Sequence, residues 1–463
     1  MSFPSYPAYK DSGVQWLGEV PQSWSVYSLK RTVDGCVNGL WGDEPDGEND
    51  IAVIRVADFK RSFSTVGLDK LTYRSITPKE KQSRLIKSGD LLIEKSGGGE
   101  KTLVGCVVLF THEFEAITSN FVGRMRPLSE FDSQFLCYAF GNLYHGRVNY
   151  PSVKQVTGIQ NLDAESYLQE RFCFPSQAEQ TQIARFLDHE TARIDALIEE
   201  QQRLIELLKE KRQAVISLAV TKGLDPTVLM KDSGVEWLGE VPAHWGFGKI
   251  RYFAKIESGH TPSRSKPEYW ENCTIPWFSL ADVWQIRSGE VIELFETKEL
   301  VSEVGLANSS ARLLPKGTVV LSRTASVGYS AIMGCDMATT QDFANWICGS
   351  KLDNTFLLFC FRAMKSEFDR LMVGSTHKTI YMPDIAGLVC SVPPLDEQGE
   401  IAAHIKISNS KFGDMIDEAE RMKKLLSERR SALISAAVTG KIDVRGWKPP
   451  ASVPSPELVQ EAV

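Results

Sequence analysis

A chain of 463 residues with 43% hydrophobic and 24% charged side chains has an ordinary globular composition, and its length allows two to four domains. The net charge of −7, from 52 basic and 59 acidic residues, argues against a free-standing basic nucleic-acid binder, although a basic face can coexist with an acidic back. No apolar run approaches the roughly 18 residues of a membrane span, and "MSFPSYPAYKDSG" lacks the basic and apolar regions of a secretion signal, so a cytoplasmic location is expected. The nine cysteines are scattered with no C-x-x-C pair and the seven histidines stand alone, which excludes a disulfide framework and leaves no metal site to propose.

In chain order, the first distinctive stretch is "KDSGVQWLGEVPQSW" at 10–24. It returns at 231–245 as "KDSGVEWLGEVPAHW", with three differences. After each copy come short β-rich runs punctuated by Gly, Pro, Ser and Asn: "IAVIRV", "DLLIEK" and "LVGCVVLF", then "TIPWFSL", "TVVLSR", "YSAIM" and "NWICG". Each region carries one helix candidate, "SQFLCYAFGNLYHGRV" and "NTFLLFCFRAMKSEFDRLM". Each then runs into a long helix, and 178–220 aligns with 396–438 at an offset of 218. Such an offset is too long for a solenoid and implies duplication of a globule-plus-helix unit.

Both long helices carry heptads. Ile194, Leu197, Gln201, Leu204, Leu208, Lys211, Val215 and Leu218 step 3-4-3-4 in the first, and Phe412, Met415, Ala419, Met422, Leu426, Arg429, Leu433 and Ala436 repeat the register in the second. Mutual pairing is expected, with a gross length of roughly 60 Å for each helix at about 1.5 Å per residue. Gly223 and Pro226 end the first helix, and Gly440 follows the second.

The search for catalytic motifs comes back nearly empty. "EKSGGGEKT" (94–102) has Glu100 where a phosphate loop needs Gly, and there is no G-x-S-x-G elbow or H-E-x-x-H pair. "VPPL" (392–395) lacks the residues with which amino-methyltransferases grip a base. The chain reads as a binder with no catalytic centre of its own.

The duplicated phrase, "SGHTPSRSKPEYWENCTIPWFSLADV" (258–283), "ATTQDFANWI" (338–347) and "PPLDEQGEIAAHI" (393–405) together resemble the specificity subunit of type I restriction–modification enzymes, from Tyr9 to about Trp447. The resemblance implies an α+β architecture: two duplicated target-recognition domains of mixed α/β structure, separated by a long antiparallel two-helix coiled-coil stem with pseudo-two-fold symmetry. The corresponding boundaries are 1–176 and 224–395 for the recognition domains, 177–223 and 396–440 for the helices, and 441–463 for a flexible tail. It also implies a non-catalytic DNA-binding subunit, each domain reading half of a split site in double-stranded DNA. Two modification (methyltransferase) subunits dock on the stem, and restriction subunits, which translocate and cut DNA with ATP, join as further partners. This chain would bind no cofactor, S-adenosylmethionine, ATP and Mg belonging to those subunits. The first half departs from the pattern at 37–50, where "VNGLWGDEPDGEND" replaces the Thr-Pro-Ser signature with five acidic residues. A rival from another class is a scaffold whose two globules bind proteins across a coiled-coil arm.

Base reading favours Arg, Lys, Gln, Asn, Ser or Thr on exposed loops, and phosphate anchoring adds hydroxyls and backbone N–H groups. The candidates in the first half are Lys95, Ser96 and Lys101, then Tyr150, Lys154 and Gln155. Those in the second are Ser263 and Arg264, then Arg323, Thr324 and Tyr329, and His377, Lys378 and Tyr381. The repeated Trp16, Leu17, Trp24 and Trp237, Leu238, Trp245 are assigned to packing each globule onto the helices.

Overall fold

A computed structural model describes residues 3–97, 102–156, 158–374 and 378–450. The chain divides into two compact units, one made of the residues up to Glu199 with those from Lys423 onward, the other of Glu200–Met422.

In the first unit the central sheet runs in the order Val37–Asn38, Val122–Met125, Leu91–Glu94, Val107–Leu109, Thr65–Val66 and Phe59–Lys60. We label its middle strand Leu91–Glu94 β1, Ala116–Thr118 β2 and Val122–Met125 β3. All four residues of β1 are buried, which is why Leu91, Leu92 and Ile93 read as an apolar run without alternation before the buried Glu94. A second, three-stranded sheet pairs β2 parallel with Asp50–Ile54, which pairs antiparallel with Thr72–Ser75. Helix α1 (Ser133–His145) covers the core, its N-terminus capped by Asp132, whose side chain accepts from the Phe135 amide.

The second unit repeats this plan. Its sheet runs Ala254–Ser258, Phe343–Cys348, Val319–Ser322, Ser330–Met333 and Glu293–Leu294. The strands equivalent to β1, β2 and β3 are β4 (Val319–Ser322), β5 (Ala338–Thr339) and β6 (Phe343–Cys348). Strand β5 pairs parallel with Ile275–Phe278, as β2 does with its neighbour. The covering helix ends early, however. The expected helix over 354–372 is two helices, Asn354–Ala363 and Lys365–Leu371, joined at Met364.

The two long helices are Gln177–Lys222 and Leu395–Val438, which we call α2 and α4, with Asn354–Ala363 as α3 between them. Gly223 and Gly440, at φ +78° and +71°, stand after them in the left-handed conformation that ends a helix. Within each unit the long helices pack antiparallel. In the first, the Asp195 carboxylate accepts from Arg430 Nε at 2.8 Å, while Gln182, earlier in α2, donates to Val444 O and Trp447 O beyond the end of α4. In the second, Ile205 and Leu208 pack with Ile416 and Ala419.

The heptad expectation needs a correction. Ile194, Gln201, Leu208 and Val215 do face inward, but the alternate members are Ile198, Ile205, Arg212 and Ala219, not Leu197, Leu204, Lys211 and Leu218. In α4 the same slip gives Ile416, Lys423, Arg430 and Ala437 for Met415, Met422, Arg429 and Ala436. A 3-4 and a 4-3 stepping have the same 3.5-residue period, and adjacent pairs such as Leu204/Ile205 and Met415/Ile416 satisfy both.

The duplicated phrases close each unit on itself. Trp24 is fully buried and donates to Glu179 near the start of α2, at 3.1 Å, while its ring edge meets Gly440 past the end of α4. Trp245 does the same with Glu397 at 2.7 Å and with Gly223. The glutamines that follow those acids, Gln180 and Gln398, are buried and accept from the amides of Asp132 and Asp353, the caps of α1 and α3. Trp16 and Trp237 also reach the last strand of each globule, Trp16 stacked on Phe172 and Trp237 donating to Val389 O, with Trp237 packed against the cluster that holds Ile216, Ala219 and Val220 of α2. Residues 441–450 are not loose: Val444 is buried and Trp447 packs edge-on to Phe186, while the rest of the expected tail, 451–463, lies outside the described residues.

Candidate nucleic-acid interface

Strands β1 and β4 each end by delivering a basic residue and a hydroxyl, Lys95-Ser96 and Arg323-Thr324, into a cluster of polar loops. The equivalence is set by backbone bonds. The Lys95 amide donates to Phe121 O and the Arg323 amide to Asp342 O, both in the turn that follows β2 or β5. The carbonyls of Lys95 and Arg323 accept from the amides of Leu162 and Ile380. Each cluster thus has three walls: the end of the central strand, the turn Ser119–Phe121 or Thr340–Asp342, and the segment 160–163 or 378–381.

In the first unit, Ser96–Gly97 joins a small antiparallel sheet with Ile159–Leu162 and Val153–Val156. Its register sets Ser96, Asn161 and Lys154 in one row, with Gln155 in the next. Lys95 Nζ donates to Asn38, Ser96 Oγ to Asn161, and Lys154 Nζ to Asp163 at 2.8 Å, an ion pair that raises the lysine and lowers the acid. Tyr150 is well exposed on the turn before the hairpin, and Phe121 is exposed beside Lys95. Lys101 lies outside the described residues.

Beneath Lys95, the buried carboxylate of Glu94 accepts from Arg61 Nη2 at 2.7 Å, and Arg61 also donates to Tyr144. Burial raises the Glu94 carboxyl above the ordinary range, with Arg61 drawing it back. Three of the five acids in 43–50 are occupied internally. Asp46 accepts from the Glu48 and Asn49 amides and from Ser75 Oγ, Asp50 accepts from the Asp46 and Gly47 amides, and Glu44 pairs with Arg74.

In the second unit, Arg323, Thr324, Lys378 and Tyr381 come together. The Ala325 amide donates to Lys378 O at 2.9 Å, and Thr324 bridges Thr379. Lys378 and Tyr381 are exposed. The Arg323 guanidinium is directed inward: it donates to Gln341 O at 2.7 Å and Ile380 O at 3.4 Å, so it braces two walls against each other. Gln341 in turn accepts from Thr261 Oγ1 at 2.8 Å. Ser263 and Arg264 form a separate group, with Arg264 stacked 3.8 Å from the Trp270 ring centre and paired to Glu299. Tyr329 stands apart too, on the wall of a cavity treated below. His377 lies outside the described residues.

The residues that sequence reasoning missed are Asn38, Asn120, Phe121 and Asn161 in the first unit, and Thr261, Gln341 and Thr379 in the second. A signal was present: "AITSNF" (116–121) and "ATTQDF" (338–343) share a pattern, but the two are offset by one residue at the turn. Gly39 and Gly259 mark the same junction from the other side. A methyl group on either would collide with the carbonyls of Thr118 and Ser119, or of Thr339 and Thr340.

Among the described residues no cluster of three metal-ligating side chains occurs, and no helix is long and apolar enough to cross a membrane.

Comparison with known proteins places these observations. A family model described as "Type I restriction modification DNA specificity domain" matches residues 242–411. The MjaX specificity subunit of Methanocaldococcus jannaschii is 23% identical over 438 residues, 93% of this chain and 96% of that protein. The EcoKI specificity subunit of Escherichia coli is 23% identical over 409 residues, 84% of this chain and 82% of that one. Among solved structures, a chain from a study of assembly and conformational transition in the type I R-M system superposes with a TM-score of 0.70 at 14% identity, covering 90% of this chain and 98% of that one. The HsdS subunit from Thermoanaerobacter tengcongensis gives 0.53 at 15% identity, covering 91% and 98%.

Proposed function

We propose that this chain, which belongs to the specificity subunits of type I restriction–modification enzymes, reads each half of a split DNA site with one of its two equivalent loop clusters. The observation that carries the proposal is the duplication of the clusters on the same strand end. Lys95-Ser96 and Arg323-Thr324 occupy matching positions, yet the groups around them differ. Asn38, Phe121, Asn161 and Lys154 face one half-site; Thr261, Gln341, Lys378 and Tyr381 face the other. Equal scaffolds with unequal polar surfaces suit two different base sequences.

The chain itself carries no catalytic step in this reading, and methyl transfer and ATP-driven cleavage fall to partner subunits with their S-adenosylmethionine, ATP and Mg. Docking of two modification subunits is supported by a second duplication. Leu197, Leu204 and Leu207 are exposed on α2, and Met415, Met422 and Leu425 are exposed on α4 at the same offset of 218. Two identical partners meeting one asymmetric chain need two equivalent patches of this kind. With net charge −7, the isolated chain should bind DNA weakly and with strong salt dependence, the partners supplying further phosphate contacts.

Footprinting with the modification subunits bound tests the assignment. Lys95→Ala, by removing an outward contact, should weaken protection of one half-site, and Arg323→Ala, by freeing the two walls that it braces, that of the other, each by about tenfold for about 1.4 kcal/mol lost. Loss at both half-sites from either variant, or an unchanged footprint from both, would contradict it.

A further inference from the structure

The second unit contains a cavity of about 400 Å³ that the reading of DNA does not use. Its size falls within the range of small-molecule sites. Four cations line it, Arg212, Arg287, Arg362 and Lys365, against one carboxylate on the wall, Asp369. Among the described residues Arg362 has no acidic partner. Its Nη1 and Nη2 donate to Gly289 O and Val291 O, each at 2.6 Å, and burial together with the neighbouring Arg212 pushes its guanidinium down to about 10. Arg212 donates to Ser288 O at 3.1 Å and lies 3.5 Å from exposed Glu290. Arg287 and Lys365 are exposed at the rim and have no side-chain hydrogen bond or ion pair among the described residues. A sheltered cation without a counter-ion is costly, and an entering anion relieves that cost. Phe361, Phe368 and Tyr329 add flat apolar surface to the wall, beside the aliphatic Ile216, Ile286, Val327 and Met372.

The first unit shows that the fold does not require this arrangement. Its matching cavity, lined by Arg430 and Ile434 at the positions of Arg212 and Ile216, is about 80 Å³. There Arg430 is neutralised by Asp195 at 2.8 Å, whereas the residue equivalent to Asp195 is Gly413, and the residue equivalent to Arg362 is Gly141. The cationic set is therefore particular to the second unit.

We propose that this cavity binds a small organic anion with a flat ring, its phosphate or carboxylate seated among Arg287, Arg362 and Lys365 and its ring against Phe368 and Tyr329. Calorimetric titration of the full chain with adenosine 5′-monophosphate, inorganic phosphate and adenosine tests it. The nucleotide should bind at one site per chain, more tightly than either fragment. Arg287→Gln and Lys365→Gln, both at exposed positions, should each weaken it about tenfold while the melting temperature stays unchanged. Lys95→Ala and Arg323→Ala should leave that affinity as it is, which keeps this test separate from DNA reading. Absence of binding up to about 10 mM nucleotide by a folded chain would overturn the proposal. So would indifference to both rim variants, or displacement of the nucleotide by duplex DNA, which would assign the cavity to backbone phosphate.

Discussion

Glu94 lies directly before the Lys95-Ser96 pair, a buried charge beneath the proposed reading surface of the first unit. Because burial raises its carboxyl, the folded chain holds that proton more tightly than the unfolded chain does. Its contribution to stability is therefore full below the unfolded value of about 4.3 and is lost as pH rises through the higher folded value. Glu94→Gln keeps the shape of the neutral form at every pH. Melting curves of the two chains should show the variant gaining on the parent as pH rises from about 4 to about 7. A difference that stays flat or moves the other way would mean that Arg61 compensates the buried charge fully. At the equivalent position the second unit has Ser322, also buried, so no such pH response is expected from its cluster.

Among elements, the long helices show what a sequence pattern can and cannot fix. Their existence, their ends at Gly223 and Gly440 and their matched registers were legible, because a 3.5-residue period and a left-handed glycine leave local traces. Which of two adjacent apolar residues turns inward was not, because Leu204/Ile205 and Met415/Ile416 serve either stepping. The structure places the isoleucines inside and the leucine and methionine outside. Ile205→Ala should accordingly destabilise the chain by about 2–4 kcal/mol in denaturant unfolding, and Leu204→Ala by no more than about 0.5 kcal/mol. Equal losses from the two would restore the stepping read from sequence. The candidate site was half legible for a related reason. Lys95, Ser96, Arg323 and Thr324 follow strands that begin with three consecutive apolar residues, 91–93 and 319–321, and so announce themselves. Asn38, Phe121, Asn161 and Gln341 reach the cluster only through sheet pairing and a bulky turn, which no local pattern encodes. Arg323 illustrates the limit: its residue type suggested an outward contact, but two backbone carbonyls hold it inward.

Across the molecule, the proposed function gives one chain both reading clusters and both long helices, and it therefore expects the length of those helices to set the gap between half-sites. Two binding modules on one support reinforce each other only when both targets fall at the supported separation. Removing one heptad from each helix, 201–207 and 419–425, preserves the 3.5-residue seam while shortening each helix by about 10 Å. The direct measurement is a map of methylated adenines in cells carrying this chain or the shortened one with the modification subunits. The account predicts the same two half-site sequences separated by a gap shorter by up to about three base pairs, at about 3.4 Å each. An unchanged gap, or altered half-site sequences, would contradict it.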